Sequence, residues 1–281
     1  MRGWWQEISG LVLPAACGGC GVPRTPLCEE CAHEMYGSAA RLATPDPEPV
    51  GLPVVHAAAA YVDAVRAVLL AHKERGVLGL ARPLGVALAG AVRAAVVDGG
   101  VCQDGTGHDE ARRGGVRDGP AFDDRMLREA GLRRAVLDVG DERQGASLLL
   151  VPVPSARRAV RARGHDAMRR IARAAAGELR RTGWQARALP VLRQLRPVAD
   201  QAGLTARERA ENLSGALRAV SGTGRLLAGG RVVLVDDLMT TGASLAEAAR
   251  ALGEACEEAG AWPAPLSAAV VAAPASALPV R

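Results

Sequence analysis

The chain has 281 residues, 49% hydrophobic but only 2% aromatic, with 35 basic and 30 acidic residues and a net charge of +5. That suits one large domain, or one domain with attachments, whose core is Leu, Val and Ala rather than aromatic rings. Lys73 is the single lysine, and an Arg preference beside abundant Ala and Gly follows genome composition, so the positive balance is weak support for a nucleic-acid partner.

The opening Met1-Arg-Gly-Trp-Trp-Gln-Glu-Ile carries an acidic residue where the apolar segment of a signal peptide belongs. No apolar run approaches the ~20 residues of a membrane span. A cytoplasmic location without a transmembrane segment is therefore the expectation. Residues 1–36 read as a metal knuckle, with a short helical lead-in through Ile8, Leu11, Val12 and Leu13. Its Cys17-Gly-Gly-Cys20 and Cys28-Glu-Glu-Cys31 pairs have the spacing of tetrahedral thiolate coordination, and structural Zn²⁺ is the expected ion. The same ligand set also serves an iron–sulfur cluster. Two disulfides are disfavoured in a reducing compartment. Four thiolates complete the shell and leave no open position for metal catalysis, and His33 reads as a surface residue.

Residues 37–53 are Pro-rich and read as a linker to a main domain over 54–281. A strand is expected at 54–61 and a short helix at 62–71, followed by His72-Lys73-Glu-Arg-Gly76. A second helix carries Leu80, Leu84, Leu88, Ala91 and Ala95 on one side, with Pro83 near its first turn. Residues 98–146 mix Gly, Asp and Arg with few large apolar residues, apart from a possible helix near 126–137. They read as a variable insertion.

Order returns at Leu148–Pro154, a buried strand running into an Arg-rich loop over 155–164. A helix follows with Met168, Ile171, Ala172, Ala175, Ala176 and Leu179 on one face, Asp166 as its N-cap and Gly183 at its end. A strand is expected at 185–192, then a long polar segment at 193–215. Arg231-Val-Val-Leu-Val-Asp236-Asp237 reads as a strand covered on both faces, and the pattern from Leu245 to Cys256 as a helix. A last strand covers 267–273. Strands alternating with helices predict a doubly wound, mostly parallel α/β sheet, with ligands at the carboxyl ends of its strands.

The turn between the Asp pair and the last helix carries the chemistry. Thr240, Thr241 and Ser244 offer hydroxyls, and Gly242 lets backbone approach a ligand. Free N–H groups at the helix start suit a phosphate. Asp236 and Asp237 can accept hydrogen bonds from a sugar diol. The arrangement fits a phosphorylated sugar with free hydroxyls.

This segment resembles the phosphoribosyl pyrophosphate (PRPP) motif of type I phosphoribosyltransferases. The resemblance implies that Asp236 and Asp237 hold the ribose hydroxyls while Thr240, Thr241, Gly242, Ala243 and Ser244 wrap the 5′-phosphate. Taken with the four-Cys knuckle, Tyr61…Lys73-x-x-Gly76, the Arg163-Gly164 segment and Gln201-x-x-Leu204…Arg209-x-x-Asn212, the chain resembles the ComF/GntX family of phosphoribosyltransferase-like proteins, linked to competence for DNA uptake. His165 and Asp166 stand where members commonly have an aromatic residue and Asn. The resemblance implies pyrophosphate contacts from Ser155, Arg157, Arg163 and Lys73. It also implies a closing loop with Gln201, Arg207, Arg209 and Asn212, and Mg²⁺ bound with PRPP. It leaves two activities open: phosphoribosyl transfer to a base-like acceptor, or a non-catalytic PRPP-sensing role in DNA uptake with single-stranded DNA or the uptake machinery as partner.

Overall fold

The computed structural model describes residues 16–101, 147–196, 205–260 and 266–279. The strands are β1 (Arg41–Leu42), β2 (Val55–Ala60), β3 (Leu148–Pro152), β4 (Ala186–Ala188), β5 (Leu192–Gln194), β6 (Leu217–Ala219), β7 (Arg231–Leu238) and β8 (Leu266–Ala273). Six of them form one sheet in the order β1-β2-β8-β7-β3-β4, and β5 and β6 pair separately as a two-stranded antiparallel sheet. Every pairing from β2 to β4 is parallel, and only β1 joins antiparallel at the edge. This is the α/β architecture with a mostly parallel sheet that the alternating pattern predicts, carrying a small four-Cys cluster at its amino-terminal side.

Helices cover both faces, so the middles of the central strands are apolar on both sides, as in Leu148–Val151, Val232–Val235 and Ala268–Ala273. In β7 the period of two sends Val233 and Val235 to one side and Val232 and Leu234 to the other. The first side meets α1 (Glu29–Tyr36) through Met35, and α2 (Asp63–Lys73), α3 (Ala81–Val101) and α5 (Ala167–Arg181). The second meets α8 (Ala243–Glu258) and the residues around α7 (Thr223–Leu227). The predicted core stripe Leu80, Leu84, Leu88, Ala91 and Ala95 is buried throughout. Asp166 caps α5, its Oδ1 accepting from the Arg169 N–H at 3.0 Å. Gly183 follows that helix with φ +91°, a conformation that costs glycine little.

Several elements differ from the sequence expectation. The stretch read as a linker adds β1 to the sheet, and its Thr44 N–H donates to the Ala277 carbonyl. The Arg-rich loop contains a helix, α4 (Arg157–Arg163), closed by Gly164 in the left-handed region. The strand expected at 185–192 is two, β4 and β5, interrupted around Pro190, which has no N–H for a ladder. Part of the polar segment forms α6 (Ala206–Leu213), and α3 runs to Val101, past the expected start of the insertion. Helical residues Leu78–Asp98 are long and apolar enough by composition to cross a membrane, which the sequence reading did not anticipate; over half of the span is buried inside the protein, as in a core helix. The amino-terminal lead-in, Cys102, the insertion with its expected helix, and Gln201 lie outside the described residues.

The two large helices α3 and α5 approach closely because Gly85 faces Ala174. A Cβ on Gly85 would lie 2.5 Å from the Ala174 Cβ and 2.8 Å from backbone atoms. Gly85→Val is therefore expected to destabilise the fold by about 1–3 kcal/mol through overpacking. Urea unfolding checks this, and an unchanged midpoint would show that the helices can separate freely.

Candidate functional site

Strand β7 continues through Asp236 and Asp237, so the alternation that sorts its valines also sorts its carboxylates. Asp237 follows the parity of Val233 and Val235 and points toward α2. Asp236 follows Val232 and Leu234 and points toward α8. Lys73, the last residue of α2, lies opposite Asp237, its Nζ 2.8 Å from both carboxylate oxygens. Asp237 is almost fully buried, which makes a nearby cation necessary.

The electrostatics of the pair are uneven. Burial and the neighbouring Asp237 charge push Asp236 from 3.8 up to about 8, with Lys73 partly opposing them. Burial works against the Lys73 charge, but the carboxylates of Asp237 and Asp236 outweigh it and raise the ammonium above its ordinary value. The Arg163 guanidinium acts on Lys73 in the opposite sense, so this arginine stands in the same cluster. The Arg163 Nη1 is buried with no hydrogen-bond partner among the described residues. His72 lies fully buried beneath Lys73, its Nδ1–H donating to the Val77 carbonyl at 3.1 Å. Burial lowers its pKa and favours the neutral ring. The His165 ring stands 6.0 Å from it, centroid to centroid.

Beyond the carboxylates the chain turns through Thr240 and Thr241 into α8, with Gly242 at the N-cap and φ +75°. A side chain there would be strained, and its Cβ would meet Leu52 at 2.9 Å, because Leu52 and Pro49 pack over the turn. Thr240 is exposed, and Thr241 and Ser244 are half-buried. Arg209 of α6 reaches this turn and donates from Nη1 to the Thr240 Oγ1 at 3.3 Å, while its Nε is buried without a partner among the described residues. Arg207 and Asn212 lie on the same helix. The Asn212 carbonyl accepts from the Arg196 Nη2 at 2.9 Å.

The residues implied as pyrophosphate contacts therefore fall into two groups. Lys73 and Arg163 belong to the carboxylate cluster. Ser155 and Arg157 line a separate cavity of about 260 Å³ at the end of β3, between α4 and β5. Asp166 links the two groups: its Oδ1 accepts from the Ser155 hydroxyl at 3.2 Å, and its charge also helps hold Asp236 up. Sequence reasoning did not single out Arg169, Arg193 or Gln194, which share that cavity. Their one signal was proximity to a strand end, which becomes visible only after β5 is separated from β4.

The four cysteines converge. Their sulfur atoms lie within 4.8 Å of one another, and the Cys20 and Cys28 sulfurs are 3.5 Å apart. Tetrahedral Zn–S bonds of about 2.3 Å need sulfurs at about this spacing, so the set fits a structural ion. The Cys28 N–H donates to the Cys17 Sγ at 3.3 Å, which supports a thiolate. Burial would raise the Cys17 thiol, but backbone N–H groups of Cys20, Cys28 and Gly19 outweigh it and bring it down to about 6. Both knuckle glycines have a packing reason: a Cβ on Gly19 would lie 2.6 Å from the Cys31 Sγ, and one on Gly18 would lie 2.7 Å from Leu80. Ala64 of α2 packs against Cys17 and Cys31, so the cluster braces the helix that ends in Lys73.

The raised Asp236 pKa has a pH signature. Between about pH 4 and pH 8 the folded protein keeps a proton that the unfolded chain has lost, so this group makes stability fall as pH rises through that window. Asp236→Asn should flatten that slope in thermal melts at a series of pH values; an identical profile would mean that Asp236 ionises normally. The cysteine cluster should bind one Zn²⁺ per chain by elemental analysis. Cys31→Ser should cut metal occupancy and lower the melting temperature, and full occupancy in that variant would show that the ion sits elsewhere. Neither a family model nor a curated protein matches the chain.

Proposed function

We propose that this chain is a PRPP-binding, phosphoribosyltransferase-like protein of the ComF type, acting with Mg²⁺ and carrying a structural Zn²⁺. The observation that carries the reading is the end of β7: two carboxylates on opposite faces, one neutralised by Lys73, followed by a hydroxyl-rich turn at the start of a 16-residue helix. Asp236 and Asp237 accept from the ribose 2′- and 3′-hydroxyls. The turn from Thr240 to Ser244 gives backbone N–H groups and hydroxyls to the 5′-phosphate. Arg209 adds a donor whose Nε has no protein partner among the described residues.

Lys73 and Arg163 stand on the diphosphate side, where their charges hold the leaving group. Mg²⁺ bound with PRPP would supply further neutralisation of that diphosphate, and Asp236 and Asp237 are the carboxyl groups that would help hold it. A cation bound beside Asp236 would favour its ionised form, whereas the ligand's phosphate charges would act in the opposite sense, as the Asp237 charge already does. Movement of α6 toward Thr240 shields the sugar from water while positive charge builds at its C1. A reducing, cytoplasmic setting suits four thiolates that hold a metal.

A non-catalytic PRPP sensor in DNA uptake is the second reading. The exposed Arg157, Arg158 and Arg161 of α4 favour it, because they can contact backbone phosphates. Steeply salt-dependent binding of single-stranded DNA is its expected outcome, and no binding at low salt would remove it.

The joint substitution Asp236→Asn, Asp237→Asn should weaken PRPP binding by roughly a hundredfold or more, since both carboxyl contacts to the ribose are lost, while the circular dichroism spectrum persists. Calorimetric titration with PRPP and Mg²⁺ checks it. Wild-type affinity in the double variant would refute the assignment. Release of pyrophosphate from PRPP in the presence of a base pool then separates transfer from sensing.

A further inference from the structure

The cavity beside the carboxylate cluster has its own chemistry. Arg157, Arg161, Arg169 and Arg193 line it with a single carboxylate, Asp166, whose Oδ1 already accepts from Ser155 and from the Arg169 N–H. Four guanidinium groups against one aspartate leave a strong positive excess in a concave site. The arginines act against one another: burial and then the Arg157 charge lower the Arg193 pKa, and burial, Arg173 and Arg193 lower that of Arg169. The Gln194 Oε1 accepts from the Arg157 N–H at 3.3 Å, and the Arg193 Nη1 donates to the Pro190 and Leu192 carbonyls at 2.7 and 3.0 Å. Those bonds fix the β5 wall of the cavity.

The remaining walls are apolar, from prolines and aliphatic side chains of β3, α4 and β5, and a volume near 260 Å³ suits one small ring rather than a nucleotide. Its position is set by register. Pro152 pairs with Val235, and the Val153 N–H donates to the Val235 carbonyl at 2.9 Å, so the cavity floor lies one strand from Asp236. Lys73 and Arg163 already form a separate basic cluster at Asp237. One diphosphate does not need both clusters.

We propose that this cavity binds the acceptor, and that the acceptor is an acidic one: a flat heterocyclic ring bearing a carboxylate, held by the forked guanidinium groups of Arg157, Arg161, Arg169 and Arg193. This rests on the PRPP reading above and adds the substrate class to it. In the transfer, a ring nitrogen forms a bond to the sugar C1 as the C1–oxygen bond breaks, and pyrophosphate leaves with the bonding electron pair. An N–H acceptor gives its proton to the departing pyrophosphate, and a pyridine-type nitrogen has none to lose. Arginine forks match a carboxylate in two parallel, charge-assisted hydrogen bonds, and a neutral ring offers no such pairing.

The test is calorimetry on the full-length, zinc-loaded protein, using matched pairs that differ in the carboxylate: orotate against uracil and nicotinate against nicotinamide, each with and without PRPP and Mg²⁺. An acid should bind roughly tenfold or more tightly than its neutral counterpart. Arg193→Gln should remove that preference. Because Arg193 also holds backbone, Arg161→Glu on the exposed face of α4 is the second variant, and it should do the same with PRPP affinity unchanged. Equal affinity for acid and neutral ring, or a preference that survives both variants, overturns the proposal. So does loss of inorganic pyrophosphate binding in these variants without any acid binding, which would make the cavity a diphosphate site. If the acids bind as expected but PRPP does not, the PRPP reading fails and the acceptor role falls with it, leaving an anion site of another purpose.

Discussion

Two adjacent carboxylates end a strand that is covered on both faces, and they cannot both stay ionised there without a counter-charge. Lys73 supplies it to Asp237, and the rest of the site is arranged around that contact. The pair is split by the pleat, so only one carboxylate meets the ammonium. The other is left to burial and to its neighbour's charge, and holds its proton near neutral pH. A strand three residues shorter would end before the carboxylates, and a shift of one residue would exchange which of them faces α2. The geometry of β7 therefore sets both the position and the protonation of the site.

That contact spans 164 residues of sequence, so it depends on how α2 is held. Ala64 at one end of α2 packs on Cys17 and Cys31, and the knuckle glycine Gly18 closes on Leu80 just beyond its other end. A four-thiolate ion would tie the two knuckles into one unit and so stiffen the support of Lys73. The metal would then act on the site through packing, at a distance from any bound ligand. His72, buried and neutral beneath Lys73, adds a rigid layer without adding charge.

The same logic explains why the Pro-rich stretch after the knuckle is not a tether. Ala43 N–H bonds to Val55, Thr44 N–H bonds to Ala277, and Pro49 and Leu52 close over Gly242. Each contact is long-range, and each satisfies backbone or apolar surface that would otherwise face water. α6 in turn brings Arg209 to Thr240. The turn at the start of α8 is thus bounded by two segments that composition alone marked as loops.

The sequence by itself determined the elements whose physics is local. Val232 to Val235 could only be a doubly covered strand, and the Leu80–Ala95 stripe only a core helix. Asp166 declared itself an N-cap, and two Cys-x-x-Cys pairs declared a thiolate cluster. Helical and strand periods, capping and ligand spacing are all written within a few residues of one another. Tertiary structure decided what depends on register and on distant partners. It put Lys73 on Asp237 and not Asp236, and separated Arg163 from Arg157. It also broke one expected strand at Pro190 to make a cavity wall. Lys73 and Asp237 carry no local mark of their pairing. The pleat of β7 and the packing of α2 against the sheet choose it, and both exist only once the sheet has closed.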